Sequence, residues 1–475
     1  MKIAIIGGGV AGASVAINLH KLGLEPTLFE KKSALIAGPP ACHLHAGGNL
    51  YPDINDAQRK QLLKESIEFL RFYPQAIEKR PTLLTVPKHI PIDIYELIQR
   101  TKKLAIYYKE LIDKDPANRV LGDPQEYFMT FSKDEILSLR GKTPKKAPLT
   151  PQEWLIPFAN EVDIDRLKFP IILVQEYGIN IFRLSAIAEL LLQEADVRYE
   201  TSVVNVKKSG DGFIVISKNN NETKEEQFDF LINAAGFESG IIDDFLGYFR
   251  ERLVEFKAAY IAKYHSNYPY PEMIFHGIRG TENGMAQFTP YPAGYYQLHG
   301  MRKDITLFED GVAKSEPPSS QPKLSQKYIE FIEKGFDPKL ALKRTKKAIW
   351  YVGRYIPPFA QAKPTTTPLF GAQQVPGSDL SLRTAEVSFE GDRYVRCEIV
   401  KVSSIFTMAD AIIGKLIKLQ ALPSTAQGIR IEGELLDEKS IDSLAQEIAQ
   451  KRGYPHQMAK LLIPYIGKES LHAAL

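Results

Sequence analysis

The chain has 475 residues, and because a single core rarely grows past about 250–300 residues, two or three lobes are expected. A hydrophobic fraction of 44%, a charged fraction of 25% and a net charge of +3 exclude a disordered chain. So small and dispersed a positive charge does not argue for nucleic acid as a main partner. Cys42 and Cys397 are too few and too far apart for a disulfide framework or a metal site, so no metal is expected.

Residues 2–30, KIAIIGGGVAGASVAINLHKLGLEPTLFE, read as strand, glycine turn, helix, strand and acid. A short apolar run (2–6) meets Gly7-Gly8-Gly9-Val10-Ala11-Gly12, a GxGxxG. Gly7 permits the tight turn, Gly9 lets a pyrophosphate approach the backbone, and Gly12 lets the helix pack closely on the sheet. The helix over 11–22 offers free N–H groups and its positive dipole end to phosphates. Eighteen positions after Gly12, Glu30 ends the second strand, placed to take both ribose hydroxyls of an adenosine. FAD and NAD sites share this unit, so the stretch alone does not choose between them. The chain starts directly on an apolar strand and has no apolar run of about 18 residues, so neither a signal peptide nor a membrane span is expected. A cytoplasmic protein is expected, at most lying on a membrane surface.

Residues 41–51, ACHLHAGGNLY, combine two histidines, paired glycines and a tyrosine in a loop. Glycines there let main chain lie against a flat ring system, with His45 or Tyr51 towards its reactive side; an ordinary glycine turn with exposed histidines is the alternative. Helical spacing follows over 56–72, with Asp56 as N-cap, and over 94–113; residues 81–94 read as extended and 116–151 as a surface excursion. A helix runs to about 192, strands over 197–206 and 212–217 form a hairpin, and a buried strand over 228–233 ends in Ala234-Ala235-Gly236.

Runs over 254–264, 273–276, 285–290 and 295–301 suggest a mostly antiparallel second sheet, the last carrying His299. A helix over 324–335 precedes an expected strand over 348–355 with Gly353 and Arg354, a proline and glycine loop over 364–377, and a helix over 405–419. Helical periodicity returns around 441–450 and 456–465. No strong amphipathic basic helix stands out.

Three of these segments together resemble the flavoprotein oxidoreductases of the D-amino-acid-oxidase fold: the GxGxxG with Glu30, the run Phe230-Leu231-Ile232-Asn233-Ala234-Ala235-Gly236, and the C-terminal return through Gly353 and Arg354. Within that fold, Lys401-Val402-Ser403-Ser404-Ile405-Phe406-Thr407-Met408-Ala409-Asp410 resembles glycerol-3-phosphate dehydrogenases, as does Gly453-Tyr454-Pro455-His456-Gln457-Met458-Ala459-Lys460. The stretch Leu44-His45-Ala46-Gly47-Gly48 is similar to their histidine-glycine-glycine loop and equally to that of 2-hydroxyglutarate oxidoreductases. The chain departs from the glycerophosphate pattern at Asn49, Leu50 and Tyr51, where those enzymes carry an arginine, and over 297–302, which lacks their glycine-threonine-threonine-aspartate.

The resemblance implies an α/β protein with a Rossmann-like, glutathione-reductase-type FAD domain (1–80, 165–250, 340–422), an inserted α+β substrate domain (81–164, 251–339) and a small helical appendage (423–475). It assigns FAD contacts to Gly7, Gly9, Val10, Ala11, Gly12, Glu30 and Lys31, then to His45, Ala46, Gly47 and Val204. Further contacts fall to Ala235, Gly236, Gly353, Arg354, Lys401, Val402 and Ser403. His45, His299, Arg354 and Lys401 are the catalytic candidates: the histidines as bases for a substrate hydroxyl, the cations for an anionic substrate or the reduced flavin. Some members attach FAD covalently to a histidine in the loop corresponding to His45. The implied activity is oxidation of a small metabolite by hydride transfer to flavin N5, with quinone or oxygen as acceptor. A flavin-dependent RNA-modification enzyme and a non-catalytic dinucleotide-binding protein are the alternatives.

Overall fold

Strand Ile3–Ile6 is fully buried and sits inside a six-stranded sheet. It runs parallel to Phe230–Asn233 on one side, with Ile6 opposite Asn233, and to Thr27–Phe29 on the other. The sheet continues to Val197–Arg198 at one edge and to Tyr394–Glu398 at the other, where Glu386–Glu390 adds one antiparallel strand. Alternation along the first strand explains why both faces are covered. Ile3 and Ile5 join a core with residues of helices Val10–Lys21, Ile181–Leu191 and Ile405–Lys418. Ala4 and Ile6 point the other way, into a core with Val206, Phe213, Val215 and Phe228 of the antiparallel meander Thr201–Ser209, Gly212–Asn219 and Glu222–Phe228. The computed structural model describes residues 1–38, 41–43, 46–51, 54–220, 222–264, 266–365, 367–379, 386–398, 401–428 and 436–465.

The second lobe is a ten-stranded mixed sheet. Its long strand, Arg252–Lys263, pairs with Tyr295–Gly300, Val312–Lys314, Lys363–Pro364 and Leu369–Pro376. The sheet then passes through Ala286–Tyr291 and Glu272–Phe275 to Thr82–Thr85, Ile171–Val174 and Phe128–Phe131. Phe256, Tyr260, Phe288, Tyr296 and Phe359 fill its core.

Three expectations fail in this lobe. Residues 348–355 are not a strand but lie largely in the last turns of helix Pro338–Gly353, which Asp337 caps by accepting from the Leu340 amide at 2.6 Å, with Pro338 in the first turn. The helix buries Ala341, Thr345, Ala348, Ile349 and Val352. The expected loop over 364–377 contains strand Leu369–Pro376, paired along Arg252–Ala259. The excursion over 116–151 contributes strand Phe128–Phe131. Residues 338–376 therefore belong to the second lobe rather than to the dinucleotide lobe, as does strand Ile171–Val174. Helix Asp56–Phe72 begins as expected, but its cap is Asn55, which accepts from the Gln58 amide at 2.9 Å.

The C-terminal region is clamped onto the dinucleotide lobe rather than appended to it. Buried Arg183 donates to the Gln75 carbonyl (2.5 Å), to Glu438 and to Asp442 (3.5 Å). Asn180 donates to the carbonyls of Met458 (3.0 Å) and Lys460 (3.1 Å), and Arg452 donates to the carbonyls of Ala37 (3.1 Å) and Gly38. Helix Glu438–Lys451 matches the expected periodicity; from 456 only the turn His456–Ala459 forms.

A buried ion network joins the two sheets. Asp243 accepts from Arg252 (2.6 Å), Arg396 (2.6 Å) and the Tyr394 hydroxyl (2.9 Å), while Glu398 pairs with Arg252 (3.1 Å) and Arg250 (2.6 Å). Asp243, Arg252 and Glu398 have fully buried side chains, so deleting one partner strands the others without water. Replacing Asp243 by Ala is expected to lower the unfolding free energy by about 3–5 kcal/mol. Denaturant midpoints measured on the variant and on Asp243→Asn check this: a loss under about 1 kcal/mol in Asp243→Ala would show that the cluster is not load-sharing.

Candidate dinucleotide and substrate site

The glycine turn is built as its spacing demands. Gly7 has φ +100°, and a Cβ there would stand 2.5 Å from the Ala234 carbonyl oxygen, so turn and second strand end are in contact. A Cβ on Gly12 would lie 1.8 Å from the Gly7 oxygen, which makes the close approach of helix to turn absolute. Gly9 is different: nothing lies within 4 Å of where its Cβ would be. That open space, beside a helix start with no side-chain cap, is the cradle a pyrophosphate needs, with the first-turn amides around Val10 and Ala11 available to it. The Glu30 carboxylate accepts from the amides of Gly8 (2.6 Å) and Lys32 (2.7 Å), which hold it at the turn. Burial pushes its pKa up, and those two hydrogen bonds oppose the rise. Lys31 pairs with Glu238 just beyond Gly236 and lies 5.8 Å from the Phe237 ring centroid, tying the first segment to the second.

The Lys401 segment closes the site from the C-terminal side. Lys401 opens the turn Val402–Ser404, and its ammonium donates to the Tyr51 hydroxyl at 2.5 Å and lies 4.8 Å from that ring's centroid. This joins Lys401 to the loop after Ala46 and Gly47, as the sequence places them. Ala46 is buried, and its carbonyl accepts from the Tyr127 hydroxyl at 2.6 Å. The buried Ser403 Oγ has no hydrogen-bond partner among the described residues, a polar atom that a bound ring system would satisfy. Behind the turn, buried Glu65 accepts from Ser404 (2.7 Å), Thr407 (2.8 Å) and Gln61 (3.0 Å). An open cradle at Gly9, a poised Glu30 and an orphaned Ser403 hydroxyl together fit a dinucleotide carrying a flat ring.

From the second lobe, strand Arg252–Lys263 presents Glu255 and Lys257 two residues apart, on one face. The Lys257 ammonium pairs with Glu255 at 2.8 Å and donates to Gln373 at 3.1 Å, and Arg279 pairs with the same Glu255. His299 lies next to this group and is partly buried. Burial and the charges of Lys257, Arg279 and Lys401 press its pKa down to about 3, so the imidazole is neutral. Burial also lowers the Lys257 pKa; Glu255 opposes this, and Arg279 and Lys401 add to it. His276, at the end of Glu272–Phe275, is buried and lowered to about 4 by burial and Arg59, and its Nε2 has no partner among the described residues.

The structure thus brings Lys401 and His299 together and separates Arg354 from them. Gly353 and Arg354, expected on a flavin-facing strand, stand at the end of helix Pro338–Gly353, where Arg354 lies beside the rings of Trp350 (5.8 Å) and Tyr351 (5.6 Å) on the outer side of the lobe. Val204 is exposed, at the bulge where the pairing of Thr201–Ser209 skips a residue. His45 lies outside the described residues, and so does the proposal of a covalent flavin link to it. Sequence reading missed Lys257, Glu255 and Arg279. The signal available was two charges spaced two apart inside an otherwise apolar strand, where one buried face must carry both.

Residues 2–126 match the family model described as FAD-dependent oxidoreductase. That match takes in about a quarter of the chain, the part that carries the glycine turn and Glu30. The dinucleotide of this chain is FAD, for which the cradle at Gly9 and Glu30 is built. Subunit A1 of the anaerobic glycerol-3-phosphate dehydrogenase of Haloferax volcanii is 25% identical over 252 residues, covering 52% of this chain and 38% of that relative. The match thus spans well under half of the relative's length. Among solved structures, L-amino acid deaminase from Proteus vulgaris superposes with a TM-score of 0.56 at 12% identity, covering 93% of this chain and 96% of its own. The FAD complex of glycerol-3-phosphate dehydrogenase from Bacillus halodurans gives 0.52 at 13% identity, over 96% of this chain and 73% of its own. At such identities these two show the fold alone.

The two glycines separate cofactor binding from folding. Gly9→Ala is expected to keep the fold and its denaturant midpoint while losing FAD, because its methyl occupies the pyrophosphate's approach. Gly12→Ala is expected to lose both. Flavin absorbance per chain and the unfolding midpoint, measured side by side, check this; full flavin occupancy in Gly9→Ala overturns the assignment of the cradle.

Proposed function

We propose that the protein oxidises a small anionic metabolite at a carbon bearing a hydroxyl or amine, with FAD as the immediate oxidant and quinone or oxygen as the final acceptor. The observation that carries this reading is the convergence of Lys257 and Arg279 from one lobe and Lys401 from the other on a neutral His299, with Glu255 the near carboxylate between the first two. Three cations from two lobes, partly withdrawn from water, two of them sharing one carboxylate, suit a carboxylate or phosphate. Hydroxy acids, amino acids and polyol phosphates all carry one. The similarity to glycerol-3-phosphate dehydrogenases supports a polyol phosphate among these, and Lys257 with Arg279 supplies cations that the departures at Asn49, Leu50 and Tyr51 had left missing.

When bound, FAD supplies the acceptor for the hydride that leaves the substrate carbon. This chain's residues do the rest. The cations hold the substrate's anionic end and so fix which carbon faces the cofactor. An alcohol must also lose its hydroxyl proton, and in this reading His299, beside the three cations, is the group that accepts it. The anion's own charge offsets Lys257, Arg279 and Lys401, so substrate binding raises the basicity of His299 when it is needed. An amine already deprotonated requires no such step.

Anaerobic addition of hydroxy acids, amino acids and polyol phosphates to the flavin-loaded protein is expected to bleach its visible absorbance with at least one of them. If none does, the oxidoreductase reading fails. For the responding substrate, Lys257→Met is expected to raise KM by about tenfold or more, and His299→Asn to lower kcat by about 10²–10⁴-fold if the substrate is an alcohol. The pH dependence has a definite sign. A base whose pKa in the free protein is about 3 is in its working form at every higher pH, so kcat/KM shows no acid limb from His299 between about pH 5 and 8. An acid limb in that range that disappears in His299→Asn would overturn the assignment of a neutral, cation-flanked imidazole.

A further inference from the structure

Helix Pro338–Gly353 carries a feature that neither the dinucleotide site nor the substrate pocket uses. From Pro338 through Arg354 there are six lysines and arginines and no aspartate or glutamate, in a chain whose whole net charge is only +3. The inward face holds Ala341, Thr345, Ala348, Ile349 and Val352. The outward face holds Lys339, Leu342, Lys343, Lys346 and Trp350, all exposed and recurring on successive turns. Leu342 is 45% exposed and Trp350 51%, in the middle of a basic surface. Lys339, Lys343 and Lys346 make no ion pair among the described residues, while Lys347 pairs with Asp304 at 3.4 Å. Three cations surround the Trp350 ring: Lys347 at 4.6 Å, Arg354 at 5.8 Å and Arg302 at 5.9 Å from its centroid.

We propose that this helix face docks on an anionic lipid surface, lying in the plane of the headgroups with Trp350 and Leu342 inserted at the boundary of the acyl region. This goes beyond the activity proposed above and does not depend on it. A continuous stripe of unpaired lysines meets a sheet of negative headgroups by charge, and their aliphatic stems allow the ammonium groups to stay at the interface while the helix sinks. An exposed tryptophan ring, with its single N–H, belongs at that depth. A nucleic-acid surface would offer the ring to a base, whereas here cations already surround it, and a branched aliphatic beside it has no role in stacking. No helix among the described residues is long and apolar enough to cross a membrane, so contact through this helix would be with the surface only.

The docked face is mechanically connected to the substrate pocket. The Tyr351 hydroxyl donates to the Gly284 carbonyl at 2.5 Å, and Arg302 donates to the Glu282 carbonyl, which fixes the loop that carries Arg279 and the 46%-exposed Ile278.

The two tryptophans make the test direct. Trp154 is buried, so emission from the exposed residue is that of Trp350, and a Trp154→Phe background isolates it. The flavin-loaded full chain is mixed with phosphatidylcholine vesicles with and without phosphatidylglycerol. We expect co-sedimentation and a blue shift of Trp350 emission with the anionic vesicles only, both reversed by raising salt to about 0.5 M. Lys343→Glu with Lys346→Glu should weaken vesicle binding about tenfold or more at unchanged flavin content and unfolding midpoint. The proposal is overturned if anionic vesicles produce neither effect, if neutral vesicles bind as well, or if the double variant binds like the parent. A blue shift with single-stranded RNA and none with vesicles would equally overturn it in favour of a nucleic-acid surface.

Discussion

The buried charges around Asp243 are the constraint on which the rest of this structure depends. Carboxylates and guanidinium groups have no tolerable alternative to each other once water is excluded, so the elements carrying them are held in one relative placement. Asp243 comes from the helix Ser239–Phe245 that follows the Ala235-Gly236 strand end, Arg252 from the first residue of the long strand of the second sheet, and Arg396 with Glu398 from the edge of the parallel sheet. Gln374, from the strand that pairs with Arg252–Ala259, also donates to Glu398 at 2.6 Å. A hydrophobic contact at that junction would allow sliding; a satisfied network of directional bonds does not.

From this junction two strands run out to the site. One starts at Arg252 and presents Glu255 and Lys257 on the same face within five residues. The other ends at Glu398, and Lys401 follows three positions later, its turn braced from behind by Glu65. The two cations that meet over His299 are therefore set by one anchor, although they belong to different lobes. The two lobes also share a hydrophobic core, in which Ala259, Ile261, Ile274 and Leu369 of the second sheet join residues of the dinucleotide lobe, and the charged junction adds direction to that contact. The C-terminal region acts similarly at the other end: Arg452 holds the carbonyls of residues 37 and 38, just before the loop that leads to Ala46 and Gly47.

How much of this the sequence disclosed follows from how local each determinant is. The unit from Lys2 to Glu30 is encoded within thirty residues, each glycine and the acid having a role fixed by its neighbours, and it formed as read. The second-sheet strands were legible from their β-branched and aromatic content. Residues 348–355 were not, because AIWYVGRY has strand composition, while the evidence for a helix lay ten residues upstream in the Asp337-Pro338 start. That error also concealed the basic face, since Lys339 to Trp350 form a stripe only when wound at helical pitch. Strand Leu369–Pro376 was obscured by the prolines and glycines flanking it, and its pairing partner lies over a hundred residues away. Lys257, Arg279 and Glu255 could be seen as charges in an apolar context, but only the folded chain shows that they share a pocket with Lys401.

The same arrangement sets an electrostatic problem that a ligand solves. Lys257 and Arg279 share Glu255, and Lys401 faces them from the other lobe beside Tyr51; burial and these cations lower the pKa of His299 and oppose the charged form of Lys257, while Glu272 and Glu255 act the other way. A pocket in this condition binds an anion with a favourable contribution that does not require new structure, because the repulsion relieved was present beforehand. It also links occupancy to proton affinity. Under the proposed function, a bound anion offsets the neighbouring cations and no longer opposes a proton on His299, so the group gains basicity only when a substrate is there to supply the proton. Without an anion the imidazole stays neutral across the physiological range and adds no further positive charge beside Lys257, Arg279 and Lys401.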